Sequence, residues 1–186
     1  MPIIHPCCKC NESFALDEEY VSCFIECTRV GSTNIDEIQR EKIRKILQNT
    51  PSLVIRLREE IQLLKNGLLP KETADRIKRI VLKLARGHAA FELGEAILEI
   101  PTSIMFTPLA TLSTDQLDKF ESPPEFHLLA EVGSRAMQRQ IQAGAGAAEW
   151  VLVQSGRYRY LTQFDDRKII RIVISEYLAC EVIWGN

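Results

Sequence analysis

The stretch WVLVQSGRYRYLTQFDDRKIIRIVISEYLACEVIW, residues 150–184, decides the fold. Four of its segments, WVLVQ, RYRYLTQF, KIIRIVIS and EYLACEVIW, are dense in β-branched and aromatic residues. Such side chains pack well on a pleated, half-buried surface. Ser155-Gly156, Asp165-Asp166 and the Ser175-Glu176 region separate them, and these residue types suit turns. A parallel neighbour would need a crossover of roughly a dozen residues or more. Connections this short predict an antiparallel β meander.

Upstream the pattern changes. Residues 17–30 predict a helix, with Asp17, Glu18 and Glu19 suited to its N-terminus and Gly31 to its stop. Residues 35–48 and 52–65 predict two more, parted by Asn49, Thr50 and Pro51. Pro70 opens a long helix through about Leu93, closed by Gly94, with Ile77, Ile80, Val81 and Leu84 as its apolar stripe. Beyond Ile97, residues 103–109 read as extended, and Pro101 and Pro108 confine them to an edge or to loops. Residues 114–120 predict a short helix, 127–132 a strand, and AGAGAA at 143–148 a flexible loop. Helices first and strands last make an α+β class, a helical N-terminal half followed by a C-terminal antiparallel meander.

Composition sets bounds on function. With 46% hydrophobic and 26% charged residues the chain has ordinary globular usage. A net charge of −2 supplies no bulk attraction to nucleic acid or to an anionic membrane, so any such binding needs a local basic face. No apolar run approaches the length of a membrane span, so no membrane partner is expected. Five of the six cysteines fall within the first 27 residues. A disulfide framework would spread them through the chain, which points to a reducing, cytoplasmic setting.

The cysteines raise a metal question. Cys7 and Cys10 have C-x2-C spacing, with Cys8 as a spare thiol and His5 as the nearest imidazole. Zinc needs four ligands, and Cys23 with Cys27, one helical turn apart, offers a second pair. That helix face also carries Tyr20, Phe24 and Val30, and free cysteine is among the most buried residue types. Core thiols are therefore the favoured reading of Cys23 and Cys27.

The segments CKCNESFALDEEYVSC (8–23), KLARGHAAFEL (83–93), EVGSRAMQR (131–139), GRYRYL (156–161) and SEYLACEVIW (175–184) resemble bacterial HNH-endonuclease-like proteins. The resemblance implies a treble-clef zinc finger with two C-x2-C knuckles. The first knuckle and a catalytic Glu-His pair precede the second knuckle, which runs into an Asn and an acidic helix. Cys7 and Cys10 match the second knuckle, Asn11 the Asn, and Glu18 and Glu19 the acidic start. Nothing here matches the first knuckle or the Glu-His pair, and His5 lies too close to Cys7 to stand for that His. An HNH site uses a His to activate water and a bound metal ion to stabilise the leaving oxygen. The expectation is the back half of a finger: residues 1–31 as its remnant, poorly ordered or irregularly packed over 1–13, with zinc weak or absent. Residues 32–186 then form the α+β domain, helical to about 95 and mainly β from about 97. The function implied is that of a nucleic-acid-directed protein, inactive alone. Its rival is a non-enzymatic α+β binding or protein-interaction domain with incidental cysteines.

Three other constellations carry potential chemistry. Arg76, Arg79, Lys83 and Arg86 form a basic stripe on the long helix, suited either to the phosphates of DNA or RNA or to plain solvation. His88 and Glu92 stand one turn apart near Glu95, as a metal or acid–base pair or as a structural hydrogen-bonded pair. On the strand RYRY, Tyr158 and Tyr160 share one face and Arg157 and Arg159 the other, for base stacking and phosphate binding, or for cross-strand pairing with Asp165, Asp166 and Arg171. Ser134 has no nearby His to activate it, and no P-loop or dinucleotide fingerprint is present. A second copy of the chain stays open as a partner.

Overall fold

A computed structural model of the chain describes residues 8–94, 96–122, 135, 138, 150–164 and 167–185, with side chains from Phe14 onward. The expected strand at 127–132, the loop at 143–148 and residues 1–7 of the stretch expected to be irregular over 1–13 lie outside the described residues, while the backbone of 8–13 is helical. The chain divides into two compact units, Met1–Ile80 and Val81–Asn186.

The first unit is helical. Helix α1 (Cys8–Val30) begins nine residues before the expected start at Asp17. Glu18 and Glu19 therefore lie in its middle and not in a first turn. Its apolar side chains Val21, Cys23, Phe24, Ile25 and Cys27 are buried, and Gly31, at φ 76, ends it. The single helix expected over 35–48 is two pieces. A 3-10 turn (Ile35–Glu37), capped by the Asn34 side chain, is followed by extended backbone and then by α2 (Glu41–Asn49). Ile38 sits in the break, fully buried, and Arg44 Nη2 donates to its carbonyl at 2.8 Å. Burying Ile38 and satisfying its carbonyl outweigh the helical periodicity there. Helix α3 (Pro51–Lys65) has Pro in its first turn, where a missing N–H costs nothing.

Tyr20 is the hub of this unit. Its hydroxyl donates to the Glu60 carboxylate and lies 3.0 Å from the Thr73 hydroxyl. The guanidiniums of Arg56 and Arg76 lie 4.9 and 4.5 Å from its ring centroid. Burial, then the neighbouring Glu60 carboxylate, push the phenol well above its ordinary value. Tyr20, Glu60 and Thr73 come from α1, α3 and α4 (Lys71–Leu93), so one side chain ties three helices together.

The second unit holds a five-stranded antiparallel sheet of β1 (Ser103–Pro108), β2 (Val151–Gln154), β3 (Tyr158–Phe164), β4 (Lys168–Ile174) and β5 (Leu178–Trp184), in the order β1-β5-β4-β3-β2. Strands β2 to β5 form the expected meander, and β1 adds to its far edge, where Pro108 is tolerated. The β4–β5 turn has both central residues, Ser175 and Glu176, at positive φ, and Tyr177 N–H donates to the Ile174 carbonyl at 3.1 Å. This two-residue geometry matches the twist of the paired strands. The Glu176 carboxylate is held there by Arg159 Nε at 3.1 Å. One sheet face carries Tyr158 and Tyr160 towards the end of α4. On the other, Val173 and Ala179 pack with Phe120 of α5 (Thr114–Glu121) and with Trp150.

Tyr20→Phe keeps the ring between the two guanidiniums and deletes the hydroxyl. A buried carboxylate and a buried threonine hydroxyl each lose a partner, so unfolding free energy in a urea titration should fall by about 1–3 kcal/mol.

Candidate functional site

The residues singled out in the sequence fall into three groups. His5 and Cys7 lie outside the described residues, while Cys8, Cys10 and Asn11 lie on the helical backbone at the start of α1. Cys23 and Cys27 are buried to 0% exposure. Burial pushes the Cys23 thiol up to about 12 and the Cys27 thiol up to about 11. A zinc ligand must be a thiolate. Among the described residues no three His, Cys, Asp or Glu side chains cluster as a metal would need.

The basic stripe is split. Arg76 and Arg79 belong to the first unit, Lys83 and Arg86 to the second. Asp17, only 6% exposed, receives Arg79 Nε at 2.8 Å, and Arg76 Nε stands 3.7 Å from it. The Asp17 carboxylate holds the Arg79 guanidinium above its usual range. Arg76 also meets Glu72 at 2.9 Å, and these two arginines join Arg56 of α3 around one cavity of ≈ 650 Å³. Tyr20 and the hydroxyl residues Thr50 and Ser52 also line it. Arg56 is fixed by Glu60 at 2.9 Å and by Glu72 at 3.1 Å. Arg86, by contrast, donates to the backbone carbonyls of Leu98 and Glu99 at 3.3 and 3.0 Å.

His88 and Glu92 do come together with the RYRY tyrosines. His88 Nε2 is 2.6 Å from the Tyr158 hydroxyl, and its ring lies on that of Tyr160, centroids 3.7 Å apart and planes 18° apart. The Tyr160 hydroxyl donates to Glu92 Oε1 at 2.6 Å, and Glu92 is 0% exposed. Burial raises the Tyr158 phenol well above its ordinary value. Glu95 lies outside the described residues. Of the cross-strand partners expected for the RYRY arginines, Asp165 and Asp166 lie outside the described residues. Arg159 is held by other groups. It makes a bidentate pair with Glu121, both contacts 2.7 Å, and its guanidinium lies 4.3 Å from the Trp150 ring centroid. Arg157 is an exposed turn residue, and Arg171 pairs with Glu181 at 2.8 Å across β4 and β5.

Beside His88 the helix surface opens into a groove of ≈ 460 Å³, lined by Lys83, Leu84, Gly87, His88, Phe91, Val153 and Tyr160. Phe91 is 52% and Val153 57% exposed. The sequence reading passed over Gly87, Phe91 and Arg56. A glycine inside an otherwise helical pattern is the signal that could have found the groove. Arg56 with Glu60 one turn on could have found the cavity.

No protein-family model, curated protein or solved structure matches the chain. Among the described residues no helix is long and apolar enough to cross a membrane.

Two outcomes follow. A β-carbon added at Gly87 meets nothing within 4 Å. Gly87→Ala should therefore raise unfolding free energy by about 0.4–1 kcal/mol in a denaturant titration. The thiols of Cys23 and Cys27 are raised from an ordinary value of 9.0, so above that pH the unfolded chain sheds protons that the folded chain keeps. Their contribution is fully present below about pH 9 and is lost progressively up to about 11 and 12. Urea titrations across that window should show stability falling with pH, and a Cys23→Ala, Cys27→Ala chain should show a flatter decline.

Proposed function

We propose that the chain is a non-catalytic, nucleic-acid-directed binding module of the HNH-endonuclease-like kind, working in a reducing, cytoplasmic setting. The observation that supports nucleic acid is the gathering of Arg56, Arg76 and Arg79 around one cavity with Thr50 and Ser52. Three guanidiniums gather there among the carboxylates of Asp17 and Glu19 in the lining and of Glu60 and Glu72 paired with Arg56 and Arg76, so what the cavity offers is a set of oriented donors and not a net positive charge. Each guanidinium has five donors. Carboxylates hold Arg56 and Arg79 at Nε, which orients the planar fork for phosphate oxygens.

The non-catalytic part rests on His88 and Glu92. A general base must reach the proton it takes. His88 is bonded to the Tyr158 hydroxyl and stacked on Tyr160, and the Glu92 carboxylate is fully buried on the Tyr160 hydroxyl. The second reading, a protein-interaction domain with incidental cysteines, is favoured by the sealed thiols of Cys23 and Cys27.

The test is equilibrium binding of labelled DNA and RNA at several salt concentrations. Arg79→Ala should weaken binding alike across sequences and reduce the slope of log affinity against log salt by about 0.7–0.9. Lys45→Ala, an exposed position of α2 in a pair with Glu41, should leave both unchanged. No binding at low salt would leave the interaction-domain reading. Magnesium-dependent cleavage abolished by His88→Ala would overturn the non-catalytic assignment.

A further inference from the structure

The sheet register sets Met105 of β1, Glu181 of β5 and Arg171 of β4 side by side. They share the face that carries Val173 and Ala179, two residues further along β4 and β5. Helix α5 packs on that face through Phe120, and a cavity of ≈ 500 Å³ is left between them. It lies wholly within the second unit and owes nothing to the arginine cavity of the first. Its size is that of a small-molecule pocket.

The cavity combines an apolar lining with hydrogen-bond donors that are fixed in place and unspent. Half-buried Met105 and Leu112, with buried Phe120, supply the apolar part. The Arg171 guanidinium is held on two sides: Nε donates to Glu181 Oε2 at 2.8 Å, and Nη1 to the carbonyls of Phe120 and Ser122 at 3.2 and 3.1 Å. Its Nη2 donates to no group among the described residues. The Gln116 amide is fixed as well. Its oxygen accepts from the Ser113 N–H at 2.9 Å in the capping box of α5, which leaves the NH2 group without a partner among the described residues. Lys119, three residues on, lines the same cavity, and among the described residues it enters no ion pair. The Thr107 and Thr111 hydroxyls, also in the lining, are taken up with each other at 2.9 Å.

We propose that this cavity is a binding site for a small organic acid, a single carboxylate on an apolar body. Two cations, Arg171 and Lys119, stand against one carboxylate, Glu181, so the lining matches one negative charge. A phosphate dianion would meet the Glu181 carboxylate with twice the charge and is disfavoured. A carboxylate has two oxygens for the donors of Arg171, Gln116 and Lys119, and such charge-assisted bonds are the strong ones. The apolar body takes the place of water against Met105 and Leu112.

The intact chain is titrated calorimetrically with phenylpropionate, with phenylpropanol, which has the same body and no charge, and with phenyl phosphate. The acid should bind at least about tenfold more tightly than the alcohol. Lys119→Met, at an exposed position, should weaken the acid by about two- to fivefold and leave the alcohol unchanged. Met105→Trp fills the cavity and should remove binding of the acid, with a thermal melt establishing that the variant folds. Equal affinity for acid and alcohol, tighter binding of phenyl phosphate than of the acid, or an acid affinity that Lys119→Met leaves untouched would each overturn the carboxylate site. No binding of the acid would overturn it as well.

Discussion

A buried carboxylate has to be answered by hydrogen-bond donors, and in each unit of this chain a tyrosine hydroxyl answers it. Leaving such a group unsatisfied costs more than most single contacts contribute. In the first unit Glu60, 5% exposed, takes the Tyr20 hydroxyl; in the second, Glu92, fully buried, takes that of Tyr160. Each pairing reaches across elements distant in sequence, 40 residues apart in one case and 68 in the other. A hydrophobic contact tolerates sliding, whereas a buried hydrogen bond has one geometry. The tyrosines therefore set the register: Tyr20 that of three helices, Tyr160 that of the end of α4 on β3.

The same constraint decides what the neighbouring polar groups can do. His88 is positioned because Tyr160 is positioned: the two rings stack, and Glu92 holds the far end of the tyrosine. Arg76 and Arg56 lie against the Tyr20 ring, where cation–π attraction adds to their pairs with Glu72 and Glu60. Fixed side chains of this kind make poor movers of protons and good surfaces for binding, because little side-chain entropy is left to lose when a ligand arrives.

Much of the fold was legible in the sequence because it follows from local chemistry. The four C-terminal strands came from β-branched and aromatic runs between turn residues, and the end of α4 from Gly94, which adopts φ 83. The break at Ile38 was not legible. A fully buried isoleucine whose carbonyl is satisfied by Arg44 is a tertiary circumstance with no local mark. The site divides in the same way. The i,i+4 spacing brought out His88 with Glu92, and strand alternation brought out Tyr158 with Tyr160. That the two pairs meet depends on how α4 lies on β3. The partners that Arg159 has depend on the same packing: Glu121 comes from α5 and Glu176 from a turn, and neither is its cross-strand neighbour.

The same placement bears on the segments from which the resemblance to HNH-endonuclease-like proteins is proposed. Three of the segments that carry it, KLARGHAAFEL, GRYRYL and SEYLACEVIW, supply the end of α4 and the strands β3 and β5. Their distinctive residues answer one another: His88 with Tyr158, Glu92 with Tyr160, and Glu176 with Arg159. Side chains that answer one another in this way meet the requirements of a packed polar core. Gly87 stands apart from that logic. Among the described residues nothing stands within 4 Å of a β-carbon built on it, so the neighbouring packing does not call for glycine there.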